Sequence, residues 1–234
     1  SGVALWRQIA DRIRQGIADG AFPEGGRLPP EVALAEQFGV NRHTVRGAIA
    51  ALVQEGVLRA EQGRGTFVER ARRISYAVGR RTRFSANLEG QARETRGRLL
   101  AQATVEAEAR VAAALGLAPG APVLRLDTVS EADGRPVGRA TSWFDAVRFS
   151  GMAKAYAETG SITAAFARHG VADYLRRSTV VSARHADAAA LADLALSPGA
   201  IVLATVAINE DMEGRPIQFS ETLFPADRVE LAIG

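Results

Sequence analysis

The chain has 234 residues, enough for one small and one medium domain, and carries 29 basic against 26 acidic side chains for a formal charge of +3. It has no cysteine, which excludes a disulfide framework and thiolate metal sites. No apolar run approaches the ~20 residues that cross a bilayer and no secretory signal opens the chain, so a cytoplasmic protein without a membrane partner is expected. The charge is uneven: residues 1–83 hold 14 Arg against 8 Asp and Glu, while residues 84–234 hold 15 Arg and Lys against 18 Asp and Glu. A basic amino-terminal third joined to a mildly acidic remainder suits phosphate binding at one end only.

The elements begin with an amphipathic helix, LWRQIADRIRQGIADG. From Leu28 to Val68 follow a short helix, a tight turn at Gly39-Val40-Asn41, a second helix, and a hairpin with Gly63-Arg64-Gly65 at its tip. Val45, Ala48, Ile49, Leu52 and Val53 fall at helical spacing and make one apolar stripe. His43, Arg46, Gly47 and Gln54 lie opposite that stripe, and Arg42 sits at the helix entrance. Asn41 is suited to cap the helix, because its side chain accepts from the free amides of the first turn. A capped helix with basic first turns, followed by a basic glycine-bounded hairpin, is the layout of a winged helix-turn-helix whose second helix enters the DNA major groove.

Residues 69–83 carry six arginines and little periodicity. They read as a solvated linker over residues 71–82, or as a linker whose Arg72 and Arg73 also touch the DNA backbone. Beyond it the chain repeats itself. Leu115-Gly-Leu-Ala-Pro-Gly120 recurs as Leu194-Ala-Leu-Ser-Pro-Gly199, each after an alanine-rich helix. Each is followed by a β-rich run, then a turn (Asp133-Gly-Arg-Pro136 and Glu213-Gly-Arg-Pro216), then a returning strand. The repeat predicts an α+β domain with an antiparallel sheet, pseudo-twofold symmetry and a ligand cleft between its halves.

The motifs also carry a family resemblance. L-P-x-E-x-x-L-A at Leu28 to Ala35, V-x-R-x-T-V-R at Val40 to Arg46, E-G-x-L at Glu55 to Leu58 and Q-G-x-G-T-F-V at Gln62 to Val68 resemble the DNA-binding domain of GntR-family transcription regulators. Residues 1–70 are therefore expected to be the winged helix-turn-helix domain. The resemblance assigns DNA contacts to Arg42, His43, Thr44 and Arg46 on the helix and to Gln62, Gly63 and Arg64 on the wing. Pro30 replaces the serine that usually caps the second helix, and Val32 stands where many members carry a DNA-contacting arginine.

Residues 83–234 resemble the UTRA effector-binding and dimerisation domain of the HutC branch, whose fold is similar to chorismate lyase: an antiparallel sheet with helices. RTRFSANLEGQ at Arg80 to Gln91, GVADYLRRSTVVSAR at Gly170 to Arg184 and FPADRVEL at Phe224 to Leu231 look most like repressors of phosphonate-utilisation operons. The resemblance implies effector contacts at Ser85, Thr128, Ser130, Ser161, Thr163, Gln218 and Phe224. Sugar-phosphate-sensing relatives carry arginines where Thr128 and Ser130 stand, and a glutamate and a tyrosine where Gln218 and Phe224 stand. A sugar phosphate is thus not the expected effector, and positive charge for an anion is expected from Arg83, Arg125 or Arg139.

Catalysis is not expected. His43, His169 and His185 show neither metal-ligand spacing nor a neighbouring nucleophile motif, and no phosphate-binding glycine loop occurs. The expectation is a homodimeric, ligand-responsive regulator without cofactor or metal, binding double-stranded operator DNA and a small anionic, phosphonate or phosphate-like effector. Regulation of another catabolic operon through a different small acidic effector is the alternative.

Overall fold

Described here from a computed structural model, residues 4–69, 73–81, 83, 87–88 and 90–233 divide into two units, residues 1–72 and 73–234.

In the first unit, the helical spacing of the apolar residues decides the packing. The helices are α1 (Leu5–Ala18), α2 (Glu31–Phe38) and α3 (Arg42–Gln54). Val45, Ala48, Ile49 and Leu52 recur at i, i+3, i+4 and i+7, so one face of α3 is buried against Ile9 and Ile13 of α1 and Leu34 of α2. Each buried Val, Ile or Leu side chain contributes roughly 1.5–3 kcal/mol by leaving water. The α2–α3 turn needs Gly39, which closes α2 at φ 66°, a left-handed conformation that costs glycine nothing. Asn41 then caps α3 by accepting from the Thr44 amide at 2.8 Å. Pro30 precedes α2 without a side-chain cap. Strands β1 (Leu58–Glu61) and β2 (Gly65–Val68) form the antiparallel wing, anchored in the core by Leu58 and Val68. Arg27 adds a bridge to Phe67, so the wing is backed by the chain that leads into α2.

The second unit is built around a six-stranded antiparallel sheet. Its strands are β4 (Thr95–Glu106), β5 (Pro122–Ala132), β6 (Arg135–Asp145), β7 (Tyr174–His185), β8 (Ile201–Asp211) and β9 (Pro216–Pro225), in the order β4-β5-β6-β9-β8-β7. The order is the sequence repeat made visible: strand, helix and hairpin occur twice and meet at β6 and β9, from Arg139↔Leu223 to Trp143↔Phe219. The two β-bulges at Ser130/Glu131 and Asn209/Glu210 fall at equivalent places in the two hairpins.

Alternation then sorts the side chains onto two faces. On one face lie α4 (Ala109–Leu115), packed on Val123, Trp143 and Phe219, and α7 (Ala188–Asp193), packed on Val202 and Leu223. On the other lie α5 (Met152–Thr159) and α6 (Ile162–Arg168), packed on Leu126 and Phe144 around an edge-to-face cluster of Phe144, Phe149 and Phe166. Beside them on this face, Tyr76 and Val229 pack on Phe224.

The segment 71–82, read as a linker, contains strand β3 (Ile74–Val78), which pairs in parallel with β10 (Val229–Ile233) and belongs to the second unit. Ile74, Tyr76 and Val78 alternate inward, a pattern hidden in sequence by the surrounding arginines. Among the described residues, the other edge of β3 has no neighbouring strand. Instead the Asn87 side chain accepts from the Ala77 amide and donates to the Ala77 carbonyl, at 3.0 and 3.1 Å. Gln91 does the same for Ser75, at 2.8 Å each. Two residues of a strand span ~6.6 Å, so the Asn87 and Gln91 side chains meet strand residues two apart.

Candidate nucleic-acid interface and effector cavity

The exposed side of the first unit gathers Arg42, His43 and Arg46 from the amino-terminal turns of α3, and Gln62, Gly63 and Arg64 from the wing tip. Arg42, Arg46 and Arg64 keep 57%, 55% and 75% of their side-chain surface exposed. Thr44 is half-buried, and its hydroxyl donates to the capping Asn41 at 3.0 Å, so it belongs to the cap as well as to this surface. Gly47 is turned toward Trp6 of α1 rather than outward.

Sequence reasoning missed Glu31. From the first turn of α2 its carboxylate accepts from Arg46 Nε and Nη2 at 3.2 and 2.9 Å, and it also reaches Arg42 at 3.5 Å. The Arg46 hydrogen bond and charge hold the Glu31 carboxyl below its ordinary range; partial burial opposes this and Arg42 adds to it. Arg64 is similarly paired with Glu61 at 2.7 Å. These acidic partners neutralise part of the basic surface without burying the arginines.

In the second unit a cavity of about 730 Å³ lies on the sheet face that carries α5 and α6. Both hairpins supply its floor: Thr128, Ser130 and Ser142 from one, and Asn209, Gln218 and Ser220 from the other. Tyr156, Gly160, Ser161 and Thr163 form one wall, and Tyr76 and Phe224 another. At the rim Gly97 of β4 approaches Gly160 so closely that a Cβ there would stand 2.0 Å from the Gly160 carbonyl oxygen. Burial pushes the Tyr156 phenol up, and its hydrogen bond with Thr128 works the other way. Thr163 and Tyr174 join their hydroxyls at 2.8 Å.

Of the effector contacts expected from the sequence, Thr128, Ser130, Ser161, Thr163, Gln218 and Phe224 all line this cavity. Ser85 lies outside the described residues. The three expected arginines are elsewhere. Arg125 and Arg139 occupy strand positions of opposite parity to Thr128 and Ala140, so they project from the other face, where Arg125 pairs with Asp127 and Arg139 with Asp193 of α7. Arg83 lies over the Tyr174 ring at 3.4 Å and is held by Asp173 and the Tyr174 carbonyl, both at 2.7 Å. Among the described residues, the arginines that line the cavity are Arg96, Arg98 and Arg176. Alternation from Tyr174 would have placed Arg176 on the cavity side of β7, but only once that face was known.

Among the described residues, no group of three His, Cys, Asp or Glu side chains is placed to hold a metal ion. No helix among them is long and apolar enough to cross a membrane. His169 ends α6 with its two ring nitrogens against the Ala165 and Ser150 carbonyls, a structural position.

A helix-turn-helix with a wing, followed by a twofold-repeated sheet enclosing a polar cavity, defines a DNA-binding regulator with a small-molecule receiver. Comparison with known proteins agrees. Residues 5–68 match the bacterial regulatory proteins of the gntR family and residues 90–230 match the UTRA domain, and the chain belongs to the GntR family as a UTRA-containing, HutC-type transcriptional regulator. It is 56% identical to an uncharacterised HTH-type transcriptional regulator of Rhizobium meliloti, over 99% of this chain and 95% of that one. It is 31% identical to the probable transcriptional regulator PhnF of Escherichia coli, over 97% and 94% of the two chains. The crystal structure of PhnF from Mycobacterium smegmatis superposes with a TM-score of 0.65 at 26% identity, covering 97% of this chain and 98% of that one. These relatives are regulators, not enzymes.

Proposed function

We propose that the protein is a homodimeric repressor that binds a palindromic operator and responds to a small phosphonate or phosphate-like anion, as the repressor of a phosphonate or phosphorus-utilisation operon. Arg42, His43, Thr44 and Arg46 enter the major groove with α3, and Gln62, Gly63 and Arg64 follow the backbone with the wing. The observation that carries this reading is the pairing of an exposed, basic recognition helix with a separate cavity rich in hydroxyl and amide donors. The phosphonate class is supported by the motifs at Arg80 to Gln91 and Phe224 to Leu231 and by the similarity to PhnF. Dimerisation is supported by size: a reading head of ~65 residues has too small a footprint for a specific site, and palindromic operators mirror protein twofold symmetry.

The test uses the full chain and the DNA upstream of its own gene. Replacing Arg46 by alanine should cost ~1–3 kcal/mol of operator binding and relax base preference at one position if it reads a guanine. Arg42→Ala and Arg64→Ala should weaken binding on all sequences alike. Unchanged affinity in all three variants rules the interface out.

A further inference from the structure

Arg125 and Arg139 project from the other face and Arg83 is tied to Asp173, whereas the cavity lining includes Arg96, Arg98 and Arg176, and these three differ in kind. Arg96 and Arg98 are exposed at the rim on β4, and Arg98 faces Glu131 at 3.8 Å. Arg176 is half-buried and, among the described residues, has no carboxylate partner. Its Nε donates to Asn209 at 2.7 Å and its Nη1 to the Thr179 hydroxyl at 3.2 Å. Tyr76, a cavity-wall residue, also hydrogen-bonds to it. Every one of these partners is neutral. A guanidinium held among neutral groups in a partly desolvated site keeps its full charge and its remaining N–H donors for an anion.

The floor of the cavity holds this arginine in place. Because a guanidinium only donates, Asn209 must turn its oxygen to Arg176 and its amide nitrogen to Gln218, which accepts at 2.7 Å. Gln218 in turn donates to the Ser142 hydroxyl at 3.0 Å. Asn209, Gln218 and Ser142 are all buried, so the relay runs across β8, β9 and β6 in a single allowed direction, set by Arg176. It engages Nε, and Thr179 takes one Nη1 hydrogen, so the donors left for a ligand lie on the Nη nitrogens.

Resting on the reading of this cavity as the receiver of an anionic effector, we propose that Arg176 is its anion anchor, binding a tetrahedral oxyanion of the phosphonate or phosphate class, with Asn209 and Gln218 as positioning residues. Charge-assisted hydrogen bonds of this kind are the strong ones, and Arg176 therefore decides anion against neutral ligand.

Titration calorimetry on the full chain tests this with methylphosphonate, inorganic phosphate and dimethyl sulfone, a neutral isostere of methylphosphonate. Arg176→Gln should weaken methylphosphonate by about thirty-fold, the loss expected for a charged hydrogen-bonding partner. Arg176→Lys should recover part of that loss, because the charge stays while the fork is lost. Asn209→Asp, nearly isosteric, sets a carboxylate against Arg176 and should abolish anion binding without altering the melting temperature by more than a few degrees. Arg96→Gln and Arg98→Gln should stay within about threefold of wild type, as exposed rim charges do. Wild-type binding of the anions that survives in Arg176→Gln, or that is lost in Arg96→Gln or Arg98→Gln instead, overturns the anchor while leaving the anionic effector standing. A wild-type chain that binds the sulfone as tightly as the anions, or binds none of the anions, overturns the anionic effector itself and the anchor with it.

Discussion

Glu31 shows how a single acidic residue shapes a basic surface. It ties Arg46 by two hydrogen bonds and reaches Arg42, so the recognition helix presents two arginines with one compensating charge between them. The carboxyl is held below its ordinary value of 4.5, so the contribution of this pair is intact above that value and is lost only as pH falls through the lowered one. At neutral pH Glu31 is therefore fully charged and offsets part of the attraction to phosphate. Glu31→Gln is expected to strengthen binding to random duplex DNA and to steepen the logarithmic salt dependence by about one, as one more counterion is released. Discrimination between operator and random duplex should fall at the same time, since freed arginines wander. Fluorescence anisotropy across a salt series reads both; an unchanged slope would show that Glu31 does not face the DNA.

At the scale of elements, β3 is the least ordinary piece. One edge pairs with β10, and the other is completed by the side-chain amides of Asn87 and Gln91. Replacing both by alanine should leave the six-stranded sheet intact, lower stability by about 1–2 kcal/mol, and expose the Ser75 and Ala77 amides to exchange. Hydrogen exchange read by NMR would show the loss at those two amides first; protection that persists there would mean that the amide clamp does not hold the strand.

The same element marks where sequence reading reached its limit. The α3 stripe was legible because Val45, Ala48, Ile49 and Leu52 recur at helical spacing, and the two hairpins were legible because Asp133-Gly-Arg-Pro136 and Glu213-Gly-Arg-Pro216 repeat a turn. Strand β3 was not, since five residues among arginines carry too short an alternation and its partner lies at the far end of the chain. Six hydroxyl, amide and aromatic residues of the cavity were readable from family motifs. Its cations were not, because which face of β5 and β6 is covered by α5 and α6 decides whether Arg125 and Arg139 point in or out. The role proposed for Arg176 rests on Asn209, Gln218 and Ser142, brought beside it by three successive strand pairings.

At the scale of the molecule, a regulator of this construction works through coupling between two sites. An effector shifts DNA binding only by its differential affinity for the DNA-competent and DNA-released arrangements, and the coupling is reciprocal. Sedimentation velocity of the full chain at micromolar concentration is expected to give a dimer with or without ligand, since the proposed reading of a palindrome needs two heads related by a twofold axis; a monomer at tens of micromolar would contradict that proposal. The most direct test of the account is a linked pair of titrations on the full chain: operator affinity with and without saturating methylphosphonate, and methylphosphonate affinity with and without operator. Expected is a loss of operator affinity of about tenfold or more on adding methylphosphonate, matched by the same factor in the reverse titration. Operator isotherms that coincide in the presence and absence of bound methylphosphonate would contradict it.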